Sequence, residues 1–298
     1  MNVELAPGKY VLAVSGGVDS MVLLYLLATR PGIELVVAHF DHGIRADSAE
    51  DRQLVEATSK RLGVPFIYKN GELGAGTSEA LAREKRYEFL REVMQATGAR
   101  AIVTAHHQDD LLETIVLNLT RGSGRKGLAP LRSQTDVVRP LLHLKKQQLV
   151  QYARANHIPW REDSTNSNPA YRRNFVRQQV MPKLTSHGRA ELVGHAERMY
   201  TLNDEIDELL ADLTATQTDA YTIDRAFFIQ LPHAVACEYM AAWLRRHQAA
   251  FDRKTIERLV VFAKTAHPGK RADVGGDSAL RASKKHITLE PRRAKGSV

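Results

Sequence analysis

An apolar run at residues 10–14, the turn Ser15-Gly16-Gly17-Val18-Asp19-Ser20 and an apolar-periodic stretch at 21–27 leave this chain few ways to begin folding. The run reads as a buried parallel strand. The glycines permit a tight turn with backbone close to a ligand, and a helix starts near Val18. That helix aims free N–H groups and its positive dipole end back at the turn, so the whole unit predicts an anion cradle. Its spacing matches neither Gly-x-x-x-x-Gly-Lys-Ser/Thr nor Gly-x-Gly-x-x-Gly, and no lysine follows the glycines. Instead the loop offers the Ser15 and Ser20 hydroxyls and Asp19, whose carboxylate repels a bare phosphate unless a cation lies between them. A Mg²⁺-nucleotide cut between its α- and β-phosphates meets that requirement. An ordinary Gly-Gly turn with a Ser or Asp helix cap is the plainer reading, and the strand and helix on either side weigh against it.

Further strand-like runs lie at residues 35–40, 65–69 and 101–105, with a short one at 137–142. Between the first of these, residues 46–62 and 78–97 carry apolar side chains at helical spacings, with Asp47, Ser78 and Glu79 near their starts. Strand alternating with helix predicts an α/β fold: a doubly wound, mainly parallel five-stranded sheet. Ligands bind such sheets beyond the C-terminal strand ends at the switch point, where Ser15, His39, Asp41 and His106 all emerge.

Three later segments narrow the chemistry. Arg83 and Arg86 share a helix face and can grip a phosphate or meet the charge that develops on it; a solvent-facing basic stripe is the alternative. In Thr104-Ala-His-His-Gln-Asp-Asp-Leu-Leu-Glu-Thr114, Asp110 and Glu113 fall on one face of a helix, a pairing suited to a cationic amine or Mg²⁺. Arg172-Arg-Asn-Phe-Val-Arg177 adds guanidinium groups for a polyphosphate or RNA. His39 and His42 stand three apart without an evident third ligand, which favours nucleotide contact or loop ordering over a metal site.

The chain has 298 residues, enough for two domains, and we place the boundary at the acid-rich helix of residues 192–213, dividing 1–190 from 191–298. Its net charge of +8 is uneven: residues 245–298 hold 14 Lys plus Arg against 5 Asp plus Glu, or +9. The smaller, mostly helical C-terminal domain, with strand candidates at 271–275 and 286–289, is thus the basic part and suits a polyanion such as RNA. A loose basic tail is expected at 291–298. Neither a signal peptide nor an apolar run of about 18 residues is present, so a cytoplasmic protein without a membrane partner is expected. Cys237, the one cysteine, reads as a buried small hydrophobe, and neither a Cys-x-x-Cys site nor an internal disulfide is available.

Ser-Gly-Gly-x-Asp-Ser resembles the signature of the ATP pyrophosphatase (PP-loop) superfamily. Taken with His39-x-x-His42-x-x-Arg45, Ala82-Arg-x-x-Arg-Tyr87, Ala105-His-His-x-Asp-Asp-x-x-Glu-Thr114, Arg121-Gly-Ser-Gly124, Arg139-Pro-Leu-Leu142 and Asp163-Ser-x-Asn166 to Arg177, the chain resembles the tRNA(Ile)-lysidine synthase family. The resemblance implies a ligase with an adenine nucleotide alpha hydrolase-like fold that uses ATP and Mg²⁺. Such an enzyme adenylates the wobble cytidine of the CAU-anticodon tRNA(Ile) and lets free L-lysine displace AMP; a homodimer is compatible with it. It further implies that Ser15, Gly16, Gly17, Val18, Asp19, Ser20 and His39 hold the nucleotide and that Asp19 positions Mg²⁺. Arg86 and Arg177 would neutralise the α-phosphate, while His106, Asp110 and Glu113 would bind substrate. Longer family members carry a further C-terminal domain, which this chain is expected to lack. A thiolation enzyme of the same superfamily would need more cysteines than Cys237. A glutaminase-coupled synthetase would need an ammonia source. A non-catalytic nucleotide- or RNA-binding module predicts no pyrophosphate release.

Overall fold

The computed structural model describes residues 1, 3–43, 48–71, 73–74, 76–162, 172–215 and 221–291. Arg45, the polar loop at 163–170 and the tail beyond 291 lie outside these residues. Two compact units divide the chain, Met1–Tyr200 and Thr201–Val298.

In the first unit, β1 (Gly8–Ala13), β2 (Ile33–Asp41), β3 (Phe66–Asn70), β4 (Ala101–Val103) and β5 (Val137–Val138) form the expected five-stranded sheet, all neighbours parallel, in the order β3-β2-β1-β4-β5. Period-two alternation feeds two cores from the same strands. Tyr10, Leu12, Leu35, Val37, Ala101 and Val103 enter one, whereas Val11, Val36, Ala38 and Ile102 enter the other. Helix α1 (Val18–Ala28) is apolar nearly all round, and Met21, Val22, Leu23, Leu24 and Leu27 are fully buried, as expected of a helix enclosed by protein. At about 1.5–3 kcal/mol per buried large apolar side chain, this helix is a main anchor of the unit. The unit's other helices are α2 (Ser48–Arg61), α3 (Glu79–Thr97), which packs on the opposite sheet face, α4 (Gln108–Thr120), α5 (Lys146–Ala155), which packs on α1, and the short α6 (Arg172–Phe175), whose end passes into a π-helical turn at Val176–Val180. Ser78 caps α3 by accepting from the Leu81 N–H, and α7 (Ser186–Ala215) carries the chain past the division.

The second unit combines α8 (Arg225–Gln230), α9 (His233–Arg246) and α10 (Arg253–Thr265) with a four-stranded antiparallel sheet ordered β6-β9-β8-β7. Its strands are β6 (Thr222–Asp224), β7 (Arg271–Gly275), β8 (Ser278–Ala282) and β9 (His286–Pro291). Residues 271–275 and 286–289 were the strands legible from sequence. β6 and β8 escape such a reading because three and five residues are too few for an alternation to stand out, although Asp224 and Arg281 do take exposed positions. Tyr239, Trp243, Phe228, Leu259, Leu280 and Ile287 make one core. Cys237 corrects the expectation of a buried hydrophobe: only partly buried, its thiol turns to the polar side chains of His233 and Glu257. Ala236 and Met240 take the core-facing positions of the same helix. No helix among the described residues is long and apolar enough to cross a membrane.

Candidate active site

The loop after β1 turns on Gly16, whose φ of +94° is left-handed; a Cβ there would also press on Asp51 at 3.4 Å. Gly17 has ordinary backbone dihedrals and meets only Ser15 Oγ within reach, so its missing side chain leaves open space beside the loop. Ser20 stitches the turn together: its Oγ accepts from the Ser15 N–H at 3.2 Å and donates to the Gly17 carbonyl at 2.9 Å. No side chain caps α1, so the N–H groups of Val18, Asp19 and Ser20 remain directed at the cradle. From β2, the His39 imidazole donates Nδ1–H to the Val14 carbonyl at 2.9 Å, and burial first of all holds its pKa below the usual value. It is therefore neutral, with Nε2 an acceptor. A second brace comes from Arg161, whose N–H donates to the Gly16 carbonyl at 3.0 Å while Nε donates to Asp51 at 2.9 Å.

Asp19 leads from the loop into a charged network. Lys146, at the start of α5, donates its ammonium to both Asp19 oxygens at 2.8 and 2.7 Å. His107 Nε2 lies 3.7 Å from Asp19 and 3.4 Å from Asp110. Burial opposes ionisation of Asp19, yet His107 and then Lys146 outweigh it and hold the carboxyl below its usual range. Burial likewise opposes protonation of His107, and Asp19 with Asp110 reverses this, so the imidazole titrates above its usual value. Asp109 joins α4 to the Lys146 N–H at 2.8 Å and to Arg189 at 2.9 Å.

One helical turn on, Glu113 is 2% exposed and enclosed by two guanidinium groups: Arg177 reaches it at 2.7 and 3.0 Å and Arg173 at 3.0 Å. Arg173 also donates to Asp110 at 3.1 Å. Arg177 stands in the π-helical turn, a distortion frequent at functional sites. Beside them a pocket of about 220 Å³ is lined by Arg83, Arg86, Arg173, Arg177, His106 and Asp110, among others. Its volume is below the 300–1,000 Å³ typical of drug-sized ligands. Buried Arg86 Nε has no partner among the described residues and stands ready for an oxygen ligand.

Burial foremost, opposed by Asp110 and reinforced by Arg86 and Arg139, pushes the His106 imidazole down to about 3. Between that value and 6.5 the unfolded chain binds a proton that the fold refuses, so stability rises with pH across this window and is lost as pH falls. His106→Gln should flatten the urea midpoint against pH between those limits. An unchanged acid limb would assign the loss to other groups.

The sequence-predicted nucleotide residues 15–20 and His39 stand together at the C-terminal ends of β1 and β2, and Arg86, His106, Asp110 and Arg177 share one pocket. Glu113, expected to grip an amine, accepts hydrogen bonds from Arg173 and Arg177. Sequence reading passed over Lys146, His107 and Arg161 as participants. Lys146 could have been found, since it follows β5 at the same sheet end as the other ligand-facing groups.

The PP-loop domain family matches residues 2–184. A tRNA(Ile)-lysidine synthase of Thermotoga maritima is 41% identical over 192 residues, 60% of this chain and 46% of that protein. One from Thermus thermophilus is 46% identical over 189 residues, covering 61% and 37%. A third, from Symbiobacterium thermophilum, is 33% identical over 261 residues, covering 78% and 54%. The chain thus spans about half the length of the curated relatives it matches. Among solved structures, a U34-tRNA thiolase, NcsA from Methanococcus maripaludis with its [4Fe-4S] cluster, aligns with a TM-score of 0.57 at 16% identity, over 66% of this chain and 73% of that one. At that identity the likeness shows the fold alone.

Proposed function

The chain belongs to the PP-loop domain family, and on that premise we propose that it ligates L-lysine to C2 of the wobble cytidine in the CAU-anticodon tRNA(Ile), through an adenylated tRNA, releasing pyrophosphate and AMP. The observation that carries this reading is the pairing of an uncapped, hydroxyl-lined loop with an adjacent pocket of four arginines around Asp110. One part suits activation by ATP, and the other suits what is activated and what attacks.

In this reading Ser15, Gly16, Gly17, Val18 and Ser20 receive the pyrophosphate part of ATP through N–H and O–H donors. Asp19 would hold Mg²⁺: its carboxylate is the anionic group of the loop, and the cation would take the place of the Lys146 ammonium from which both of its oxygens accept. Mg²⁺ supplies charge neutralisation between phosphates when bound. Arg86 and Arg177 meet the charge that develops on the α-phosphate, a role supported by their both lining the pocket. Asp110 contacts lysine, because its oxygens retain acceptor capacity beyond Arg173 and the His107 N–H. Glu113 positions Arg173 and Arg177. The nucleophile must be a neutral amine, and a pocket lined by Arg83, Arg86, Arg173 and Arg177 disfavours the ammonium form.

Incubation with labelled lysine, ATP and a CAU-anticodon isoleucine tRNA transcript tests the proposal. Label entering tRNA supports it; AMP formation without incorporation, or no turnover, refutes it. A sulfur-transfer reaction like the fold neighbour's is disfavoured by the single cysteine, which lies in the Thr201–Val298 unit.

We assign residues 1–190 to catalysis and the basic segment within 191–298 to tRNA phosphates, since positioning contacts need charge rather than sequence. Lys284 and Lys285 are exposed, and Arg281 is exposed beside Glu290 at 3.5 Å. Neutralising all three should weaken tRNA binding and lower the slope of log K against log salt by about 2–3. An unchanged slope would move the tRNA contact elsewhere.

A further inference from the structure

Away from the nucleotide loop, the second unit carries a group of three metal-ligating side chains of different chemistry. His233 and Cys237 lie one turn apart on the same face of α9, and Glu257 comes from α10. Both helices feed the core of Met240, Leu244, Leu259 and Val260, so the donors stand on rigid elements rather than on loops. Sγ of Cys237 is 3.6 Å from His233 Nε2 and 3.8 Å from Glu257 Oε2, and the latter two atoms are 2.7 Å apart. Arg253 approaches the other carboxylate oxygen, Oε1, at 4.0 Å and leaves Oε2 to the group.

We propose that His233, Cys237 and Glu257 form a Zn²⁺ site. Tetrahedral Zn²⁺ with bonds of about 2.3 Å to sulfur and 2.0–2.2 Å to nitrogen and oxygen requires S···N and S···O edges of ~3.6 Å and an N···O edge of ~3.4 Å. Two of the three observed edges already match. The third opens by ~0.7 Å when the metal replaces the hydrogen shared between imidazole and carboxylate. That movement is available, since the His233 and Glu257 side chains are 56% and 46% exposed. On binding, the thiol releases its proton to solvent, and the hydrogen between Nε2 and Oε2 leaves Nε2, passing to Nδ1 of a neutral imidazole or to solvent from an imidazolium, so that Nε2 becomes the ligand. Thiolate and carboxylate together balance the dication. Sulfur and imidazole select a borderline-soft ion over Mg²⁺ or Ca²⁺, and water takes the fourth position at this exposed face.

Co²⁺ titration of the full chain tests the site, with Zn²⁺ as competitor. Cys237 is the sole cysteine, so a thiolate-to-cobalt charge-transfer band can arise only there. One equivalent of Co²⁺ should produce that band together with the intense visible bands of a tetrahedral ion, and Zn²⁺ should bleach both. C237S should abolish the band without altering Mg²⁺-dependent pyrophosphate release. H233A and E257Q should each weaken Co²⁺ binding by about tenfold or more. Absence of the band at micromolar Co²⁺ overturns the proposal. So does a band whose affinity is unchanged in H233A and E257Q, which would mark an isolated thiol.

Discussion

Asp19→Asn is expected to lower pyrophosphate release about 100- to 1,000-fold, the range found when a single preorganised electrostatic contact is removed from a reacting centre. The substitution keeps the shape of the side chain and removes its charge, so the loop should survive through Ser20, Gly16 and Arg161. What changes is the network. Lys146 loses the carboxylate that accepts its ammonium on both oxygens, and its positive charge then stands uncompensated where Mg²⁺ would have to be held. His107 loses one of the two carboxylates that raise its pKa, so its titration midpoint should fall when followed by NMR. Pyrophosphate release measured at saturating ATP and Mg²⁺ checks the first effect. Retention of more than about a tenth of the wild-type rate would remove Asp19 from the metal-holding role.

Glu113→Gln should be the most destabilising single change in the site. Removing one partner of a buried ion pair costs about 3–5 kcal/mol, because the opposite charge stays behind without compensation. Arg173 and Arg177 are 25% and 38% exposed, so water can take over part of the lost interaction and we expect a loss of about 2–3 kcal/mol. Activity should fall as well, since both guanidinium groups lose the oxygens that orient them. Urea unfolding gives the first number. A double-mutant cycle with Arg177→Ala gives the second test, because the paired changes should be far from additive if Glu113 acts through that arginine. A Glu113→Gln loss below about 0.5 kcal/mol, or additive effects, would contradict the positioning role.

The sheet was readable from sequence chiefly because β1, β2 and β4 are buried on both faces. Such strands write themselves as nearly unbroken apolar runs, which is how residues 10–14, 35–40 and 101–105 stood out. The cradle was readable because a left-handed turn favours glycine and Gly16 occupies one. In the second unit the signal was weaker. β8 pairs with β7 and β9, yet its five residues include Arg281 on the exposed side and leave too little pattern to register. Cys237 was misread because composition ranks cysteine as a small hydrophobe, whereas its helix sets it beside His233 and across from Glu257.

Which chemistry could exist was therefore written along the chain: a parallel α/β sheet, a glycine-bearing turn that opens on an uncapped helix start, and carboxylates and guanidinium groups within reach of its switch point. Local spacing suffices for that, because helix and strand periods are fixed by backbone geometry. Who holds whom was decided only in three dimensions. Lys146 meets Asp19 from 127 residues away, Arg177 meets Glu113 from 64 and Arg161 meets Asp51 from 110. No periodicity records such pairings. Charges find their partners by the desolvation and Coulomb energies of the folded site, and those energies exist only once the sheet has brought the segments together.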